Sequence, residues 1–248
     1  MTFNYPKDNI LFTGFLLLGS FGLTAQEMKP QDTEIWEPEP TVVKGGSFSS
    51  APSDAIVLFD GTNLSCWTNA AGKPAEWNVD EGAMTVIPGA GNVKTKEDFG
   101  SIQLHIEWRT PAEVKGEGQG RGNSGIFFQG MYELQVLDSY NNRTYSNGQA
   151  GSIYKQTAPL VNASKGPGEW QTYDVIYMAP VFNEDGTYKK NPTITVFHNG
   201  VLIQNHTVIR GTTPYIGPPK VVKHSDGPII LQDHDNPTSY RNIWVRKL

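Results

Sequence analysis

The chain has 248 residues, of which 38% are hydrophobic and 18% charged, a composition that suits one large β domain or at most two small domains. Its 25 acidic and 20 basic residues give a net charge of −5, and no basic run is longer than two residues. Nucleic acid and anionic membranes are therefore poor candidates as partners. Cys66 is the single cysteine, which excludes an internal disulfide and a Cys/His zinc pattern.

The first 25 residues are predicted to be a signal peptide. Lys7 precedes an apolar stretch over residues 10–23, which is short for a membrane span and typical of a secretory signal. Small residues suit a cleavage after Ala25, and no cysteine follows for a lipoprotein anchor. We expect a bacterial protein that is exported to the periplasm or secreted, with no membrane span in its mature form.

Residues 26–52 are rich in Pro, Glu and Ser, so we interpret them as a linker or surface arm. Residues 53–248 have short alternating segments with turn signals about every 10–15 residues, and no amphipathic helical repeat. Asn199-Gly200 lies between two β-rich segments, as a type I′ hairpin requires. The pattern predicts an all-β domain, a two-sheet antiparallel sandwich of the jelly-roll kind.

The stretch GNSGIFFQGMYELQVLDSY, residues 122–140, reads as a buried strand that also carries polar side chains. In a strand, Tyr132, Leu134 and Val136 share the core face, which leaves Glu133 and Gln135 on the other face, roughly 7 Å apart. Asp138 joins them only if the strand ends or bulges at Leu137. A polar stripe facing solvent is the alternative interpretation.

Other segments add polar groups of the kind that bind sugars. HIEWR puts His105, Glu107 and Arg109 on one face, and LQDHD does the same for Gln232 and His234. The glycine-rich loop at 116–125 lacks the helix that a phosphate site needs, so we interpret it as a border of the cleft. We expect contacts to sugar hydroxyls from Asn123 and Ser124. Together these segments predict a polar saccharide cleft.

Eight segments of the chain carry a resemblance to a known family. In chain order they are LFDGTNLSCW, EWNVDEGAMTV, HIEWRT, GNSGIFFQGMYELQVLDSY, GSIYKQTAPL, EWQTYDVIY, FHNGVLI and GPIILQDHDNPTSYRNIWVRKL. Together they resemble the 3-keto-disaccharide hydrolase family. The resemblance covers residues 54–248. It implies a concanavalin A-like jelly roll and a hydrolase or lyase that acts on glycosides oxidised to a ketone at C3.

The segment from Glu133 to Asp138 also resembles the E-x-D-x-x-E strand of retaining laminarinase-like glucanases, in which the first Glu is the nucleophile and the last the acid/base. Here Gln135 replaces the middle acid and Asp138 is shorter than Glu. Double displacement needs two carboxylates about 5–5.5 Å apart. Elimination from a 3-keto sugar needs one base, one acid for the leaving oxygen and a donor for the enolate.

The roles expected from the sequence follow this chemistry. Glu133 is the first choice for the general base and His234 the second, although His234 could equally be structural. Asp138 is a candidate acid or metal ligand, and Arg109 a candidate for stabilising the enolate, unless Arg109 and Glu107 form a salt bridge. The predicted substrate-binding residues are Gln135, Arg109, Glu107, Asn123, Ser124, Tyr154 and Gln232. His198 and His206, beside the hairpin turn, are expected at the surface.

No cofactor is demanded by the spacing, but the carboxylate, His and Gln oxygens would suit Ca²⁺ or Mg²⁺. The expected partner is a small saccharide. Two alternatives stay open: a non-catalytic, lectin-like module in which Tyr154, Trp108 or Trp170 stack on sugars, and a conventional β-glucanase. A lectin should keep its affinity after Glu133→Gln, whereas an enzyme should lose turnover.

Overall fold

A computed structural model describes Met1, residues 28–46 and residues 50–248. The predicted signal peptide lies almost wholly outside the described residues. The chain divides into two units, 1–42 and 43–248. In the first, the described part has a short 3-10 helix, Pro30–Thr33, where the Lys29 amide donates to Asp32 Oδ2. The predicted boundaries at 25 and 52 stay predictions.

The second unit contains two antiparallel sheets and a small hairpin. The strands of the larger sheet are β1 (Ile56–Phe59), β3 (Asn78–Asp80), β4 (Ala83–Thr85), β6 (Ile102–Arg109), β9 (Gln171–Met178), β12 (Thr193–His198), β13 (Val201–Val208) and β15 (Ser239–Lys247). They lie in the order β13-β12-β9-β6-β15-β4-β3, with β1 also paired to β15. The predicted hairpin joins β12 to β13, and Asn199 and Gly200 both have positive φ.

The strands of the smaller sheet are β2 (Trp67–Asn69), β5 (Val93–Thr95), β7 (Ser124–Phe128), β8 (Tyr132–Val136) and β14 (Ile230–Leu231). They lie in the order β2-β5-β14-β7-β8. The separate hairpin consists of β10 (Val181–Phe182) and β11 (Tyr188–Lys190). Two further 3-10 helices, Gly118–Gly120 and Ser146–Gly148, lie in loops.

The core lies between the two sheets because alternate side chains of each sheet point inward. On β6 the inward residues are Ile102, Leu104, Ile106 and Trp108, and β8 contributes Tyr132, Leu134 and Val136, all nearly inaccessible to solvent. Phe128 stacks on Tyr177 of the larger sheet with 4.7 Å between ring centroids. The predicted two-sheet antiparallel jelly-roll sandwich is confirmed.

The prediction for His198 was wrong, since this residue is buried. Its ring packs against Tyr173 and Trp108, and Nε2 lies 3.2 Å from Gln171 Oε1. Burial, aided by the positive charge of Lys165, lowers the pKa of His198 to about 3. His198 is therefore a neutral core residue, whereas His206 is exposed as expected.

Candidate active site

Glu133 and Gln135 lie on the face of β8 that points away from the sandwich core. The alternation predicted for this strand is confirmed, but both of its faces are buried. Loops cover the outer face, and β8 is the edge strand of its sheet. Residues 151–154 form backbone hydrogen bonds with the outer edge of β8. In one of them, the Tyr154 amide donates to the Glu133 carbonyl oxygen at 3.2 Å. This pairing holds Tyr154 next to Glu133.

A pocket of about 180 Å³ opens over these side chains. Its lining combines β7, β8 and four loops: Asn123, Phe127, Glu133, Gln135, Tyr154, Thr213, Tyr215, Gln232 and His234. Six residues that the sequence predicted from separate segments are thus brought to one place: Asn123, Glu133, Gln135, Tyr154, Gln232 and His234. A pocket with a polar floor and aromatic walls is typical of a small-ligand site.

The Glu133 carboxylate is buried without a hydrogen-bond or ion-pair partner among the described residues. Glu133 is only 5% exposed to solvent. Burial raises the pKa of Glu133 to about 8, because a charge without partners is disfavoured in a low-dielectric site. The pocket therefore holds a carboxyl that can exchange a proton near neutral pH.

Two amide oxygens in the pocket also lack partners. Gln135 Oε1 and Gln232 Oε1 are buried with no hydrogen bond to any described residue. Gln135 Nε2 donates to Gln119 Oε1 at 3.1 Å and to Asn123 Oδ1 at 3.3 Å, which fixes the amide orientation. Buried acceptors without donors are costly unless a ligand supplies the hydrogen. These oxygens suit hydroxyl donors.

Tyrosines form the mouth of the pocket. Tyr154 Oη lies 2.8 Å from Tyr145 Oη, and the Lys155 ammonium lies 4.4 Å from the centroid of the Tyr215 ring. Tyr215 lines the pocket yet is 71% exposed. Sequence reasoning missed Tyr215, Thr213, Phe127 and Gln119. The sequence does contain one indication for Tyr215, because an aromatic residue within the proline-rich loop segment TPYIGPP is a candidate binding residue.

Asp138 lies outside the Glu133 pocket, so the structure does not bring it beside Glu133 as its predicted role as acid or metal ligand would require. β8 ends at Val136, Leu137 turns into the core, and Asp138 forms an ion pair with Arg121 of 2.6 Å between Oδ2 and Nε. Asp138 Oδ1 also accepts from the Tyr140 amide. Both oxygens are thus engaged in holding the loop.

Three further residues that the sequence predicted to bind substrate also lie outside the Glu133 pocket. Ser124 faces the core, where its Oγ lies 2.6 Å from both the Gln232 carbonyl oxygen and Tyr240 Oη. Glu107 and Arg109 belong to β6, in the opposite sheet. None of the three lines the Glu133 pocket. Glu107 and Arg109 are excluded because their strand belongs to the other sheet, and Ser124 because its position in β7 points its side chain toward the core.

Glu107 and Arg109 do not pair with each other either. Glu107 Oε2 accepts from Arg241 Nε at 2.6 Å, and the Arg109 guanidinium packs on Trp170. His105 Nδ1 lies 2.7 Å from Asp174 Oδ1. Burial opposes the charging of His105, but the hydrogen bonds to Asp174 and Glu107 outweigh it and raise the pKa of His105 to about 9. This cluster forms an ionic network on the larger sheet.

The lining of the pocket includes one carboxylate, Glu133. A retaining double displacement needs a second carboxylate facing the first. Within residues 28–46 and 50–248, no three His, Cys, Asp or Glu side chains lie together as a cation site. The same part of the chain has no helix that is long and apolar enough to cross a bilayer.

A jelly roll with this polar pocket defines a carbohydrate-active domain of the glycosyl hydrolase type. The chain belongs to the family described as 3-keto-alpha-glucoside-1,2-lyase-like domain, which matches residues 54–246. The resemblance found in the sequence motifs is therefore confirmed.

Solved structures agree with this assignment. A provisionally assigned glycosyl hydrolase from Parabacteroides distasonis ATCC 8503 is 56% identical, with a TM-score of 0.86 over 89% of this chain and 97% of that one. Another from the same organism is 18% identical, with a TM-score of 0.57 over 78% and 94% of the two chains, and shares the fold. No curated protein matches this chain significantly.

Proposed function

We propose that this domain cleaves glycosides whose sugar carries a ketone at C3, with Glu133 as the general base. The observation that carries the proposal is a single buried carboxyl in a polar pocket, which has no hydrogen-bond donor among the described residues and whose pKa burial raises to about 8. The family description, which names a 3-keto-glucoside lyase, supports the same substrate class.

The chemistry follows from the ketone. A carbonyl at C3 acidifies the hydrogen on C2, so Glu133 removes that proton and the electron pair of the C–H bond moves toward the carbonyl as an enolate. The enolate collapses to a C1–C2 double bond as the C1–O bond breaks, and the leaving oxygen takes a proton. Water then adds across the enone, with its oxygen at C1 and its hydrogen at C2. No glutamate nucleophile takes part.

The remaining groups of the pocket suit supporting roles. His234 is exposed at the rim and can protonate the leaving oxygen. The Tyr154 hydroxyl can donate to the enolate, because burial raises its pKa and keeps it protonated. Gln135 Oε1 and Gln232 Oε1 can accept from sugar hydroxyls, which would satisfy two buried oxygens at once.

The test is a pair of matched assays with purified mature protein. One substrate is a 3-keto glucoside and the other is the same glucoside without the ketone, each assayed with the wild type and with Glu133→Gln. We expect aglycone release from the keto substrate alone, and a loss of at least 10²-fold in the variant, the range for a removed general base. Cleavage of the unoxidised glucoside would indicate a conventional glucanase.

A lectin-like module is the second candidate, favoured by the exposed Tyr215 ring at the pocket mouth. It predicts that both proteins bind the keto glucoside with similar affinity and that neither cleaves it. Titration calorimetry on the same samples separates the two functions.

We also propose that the protein is exported and that its activity can depend on a divalent cation. The apolar stretch at residues 10–23 supports export, and N-terminal sequencing of protein recovered outside the cytoplasm should begin after Ala25. Loss of turnover with a chelator, restored by Ca²⁺ or Mg²⁺, would establish a cation requirement.

A further inference from the structure

His234 lies at the rim of the Glu133 pocket, on the loop of residues 232–238 that joins β14 to β15. Its side chain is exposed, and within the described part of the chain neither ring nitrogen has a hydrogen-bond or ion-pair partner. The imidazole is therefore not held by contacts of its own. Its position relative to a substrate depends on how the backbone of this loop is fixed.

The chain is anchored directly before His234. The Asp233 amide donates to Asn92 Oδ1 at 2.9 Å, and Asp233 Oδ2 accepts from the Gly91 amide, also at 2.9 Å. Asp233 Oδ1 accepts from the Asp235 amide at 3.0 Å, which closes a turn around His234. These bonds fix the start of the turn.

Asn236 anchors the other side of the turn with both ends of its side-chain amide. Asn236 Nδ2 donates to the His234 carbonyl oxygen at 2.7 Å, and Asn236 Oδ1 accepts from the Gly122 amide at 3.0 Å. The residue after Gly122, Asn123, lines the Glu133 pocket. One side chain therefore joins the backbone of His234 to the wall of the pocket that holds Glu133.

The glycine-rich loop offers Asn236 a closely packed point of attachment. Gly122 has a φ of 57°, and a Cβ atom at this position would stand 2.7 Å from Thr110 Cβ and 3.2 Å from Asp138 Cβ. The preceding residue, Arg121, is ion-paired with Asp138. Because packing and an ion pair hold this part of the loop, the bond from the Gly122 amide fixes Asn236 as well.

We propose that Asn236 is a positioning residue, which holds the His234 backbone so that the imidazole reaches the leaving oxygen. The inference rests on the proposed function, because it assumes that the His234 imidazolium gives a proton to this oxygen as the C1–O bond breaks and its electron pair stays on the oxygen. Asn236 does not line the Glu133 pocket, so it acts through His234 and not on the sugar. A shift of a catalytic group by about 1 Å can cost about 10²-fold in rate.

Three variants separate positioning from folding. Asn236→Ala removes both bonds of the side-chain amide. Asn236→Asp keeps an acceptor for the Gly122 amide but places an oxygen against the His234 carbonyl, so that only this second bond is lost. Asp235→Asn is the matched control, because the Asp235 side chain is exposed and forms no hydrogen bond with a described residue, and asparagine tolerates its φ of 58°. Thermal unfolding of all three checks the fold.

Each variant, the wild type and His234→Ala are assayed on the methyl and the 4-nitrophenyl 3-keto-glucoside. Methoxide needs a proton in order to leave, whereas 4-nitrophenolate leaves as a stable anion. The readout is the ratio of kcat/KM for the methyl substrate to that for the 4-nitrophenyl substrate. We expect His234→Ala to lower this ratio at least about tenfold, both Asn236 variants at least about fivefold, and Asp235→Asn less than about twofold.

The double variant His234→Ala/Asn236→Ala should have the ratio of His234→Ala alone, because Asn236 then has no imidazole to position. The positioning role is overturned if Asn236→Ala slows both substrates equally, or if it lowers the ratio further in the absence of His234. A wild-type ratio in Asn236→Asp overturns it too, since this variant lacks the bond to the His234 carbonyl.

Failure of the proposed function gives a different result. A wild type that cleaves neither keto glucoside overturns the proposed function and this inference with it. If the wild type cleaves both and His234→Ala keeps the wild-type ratio, His234 is not the acid and Asn236 has no positioning role, while Glu133 as the general base is unaffected.

Discussion

Oε1 of Glu133 lies over the α-carbon of Gly125, at a point only 2.6 Å from where a Cβ atom on Gly125 would stand. The two residues are on adjacent strands, but they are not directly opposed: Gly125 pairs with Gln135, and Glu133 with Phe127. The missing side chain at position 125 is what lets the carboxylate lean across the sheet into the pocket.

This contact predicts the effect of Gly125→Ala. The added methyl group must displace the Glu133 carboxylate, because a 2.6 Å contact between Cβ and oxygen is not tolerated. We expect kcat/KM on a 3-keto glucoside to fall by about 10²-fold, since misplacement of a catalytic group by an ångström has this cost. Gly120→Ala, at an open position, is the control and should retain activity.

The pH dependence of turnover distinguishes a base from an acid at position 133. Burial raises the pKa of Glu133 to about 8, so the carboxylate form that acts as a base accumulates as the pH rises toward that value. We expect kcat/KM to increase between pH 6 and pH 9, with an inflection near 8. A decrease over the same range would mean that the protonated carboxyl is the active form.

The same carboxyl links stability to pH. Between 4.5 and about 8 the folded chain keeps a proton on Glu133 that the unfolded chain loses, so stability falls by up to about 1.4 kcal/mol per pH unit from this group. Glu133→Gln removes this effect. The melting temperature of the variant should therefore exceed that of the wild type by more at pH 9 than at pH 5. If the melting temperatures of Glu133→Gln and the wild type differ by the same amount at pH 5 and pH 9, the Glu133 carboxyl is not buried without a partner.

Like Glu133, the ionic network on the larger sheet makes the fold less stable as the pH rises. The pKa of His105 is raised to about 9, so its bond to Asp174 stabilises the fold below pH 6.5 and the contribution is lost as the pH rises through 9. Asp174→Asn should lower the melting temperature by a few degrees at pH 7 and hardly at pH 10. Asp80→Asn, at another exposed strand position, is the control.

Strand alternation carried most of what the sequence could predict. It correctly separated Glu133 and Gln135 from Tyr132, Leu134 and Val136, because parity within a strand is a local property. It could not tell which sheet a strand joins. For this reason the polar pattern of β6 predicts Glu107 and Arg109 in the same cleft as Glu133, whereas the sandwich core separates them from it.

The contacts that loop residues make were the second feature that the sequence could not predict. Asp138 and Ser124 are close in sequence to pocket residues, yet an ion pair to Arg121 and a bond to Tyr240 turn them away. Tyr215 is brought to the pocket by the loop that contains Thr213, and Thr213 Oγ1 accepts a hydrogen bond from the amide of Glu133, 80 residues earlier in the chain. Such pairings depend on tertiary contacts that no short motif encodes.

Tyr215 gives the last prediction, because its position separates binding from folding. The ring lines the pocket and is 71% exposed, so its removal costs little core packing while it deprives a bound sugar of an aromatic wall. We expect Tyr215→Ala to raise KM for a 3-keto glucoside about tenfold, equivalent to about 1.4 kcal/mol, with the melting temperature nearly unchanged. Ile216→Ala is the matched control, since Ile216 is 82% exposed and does not line the pocket. If both variants raise KM equally, the loop as a whole, rather than the Tyr215 ring, governs binding.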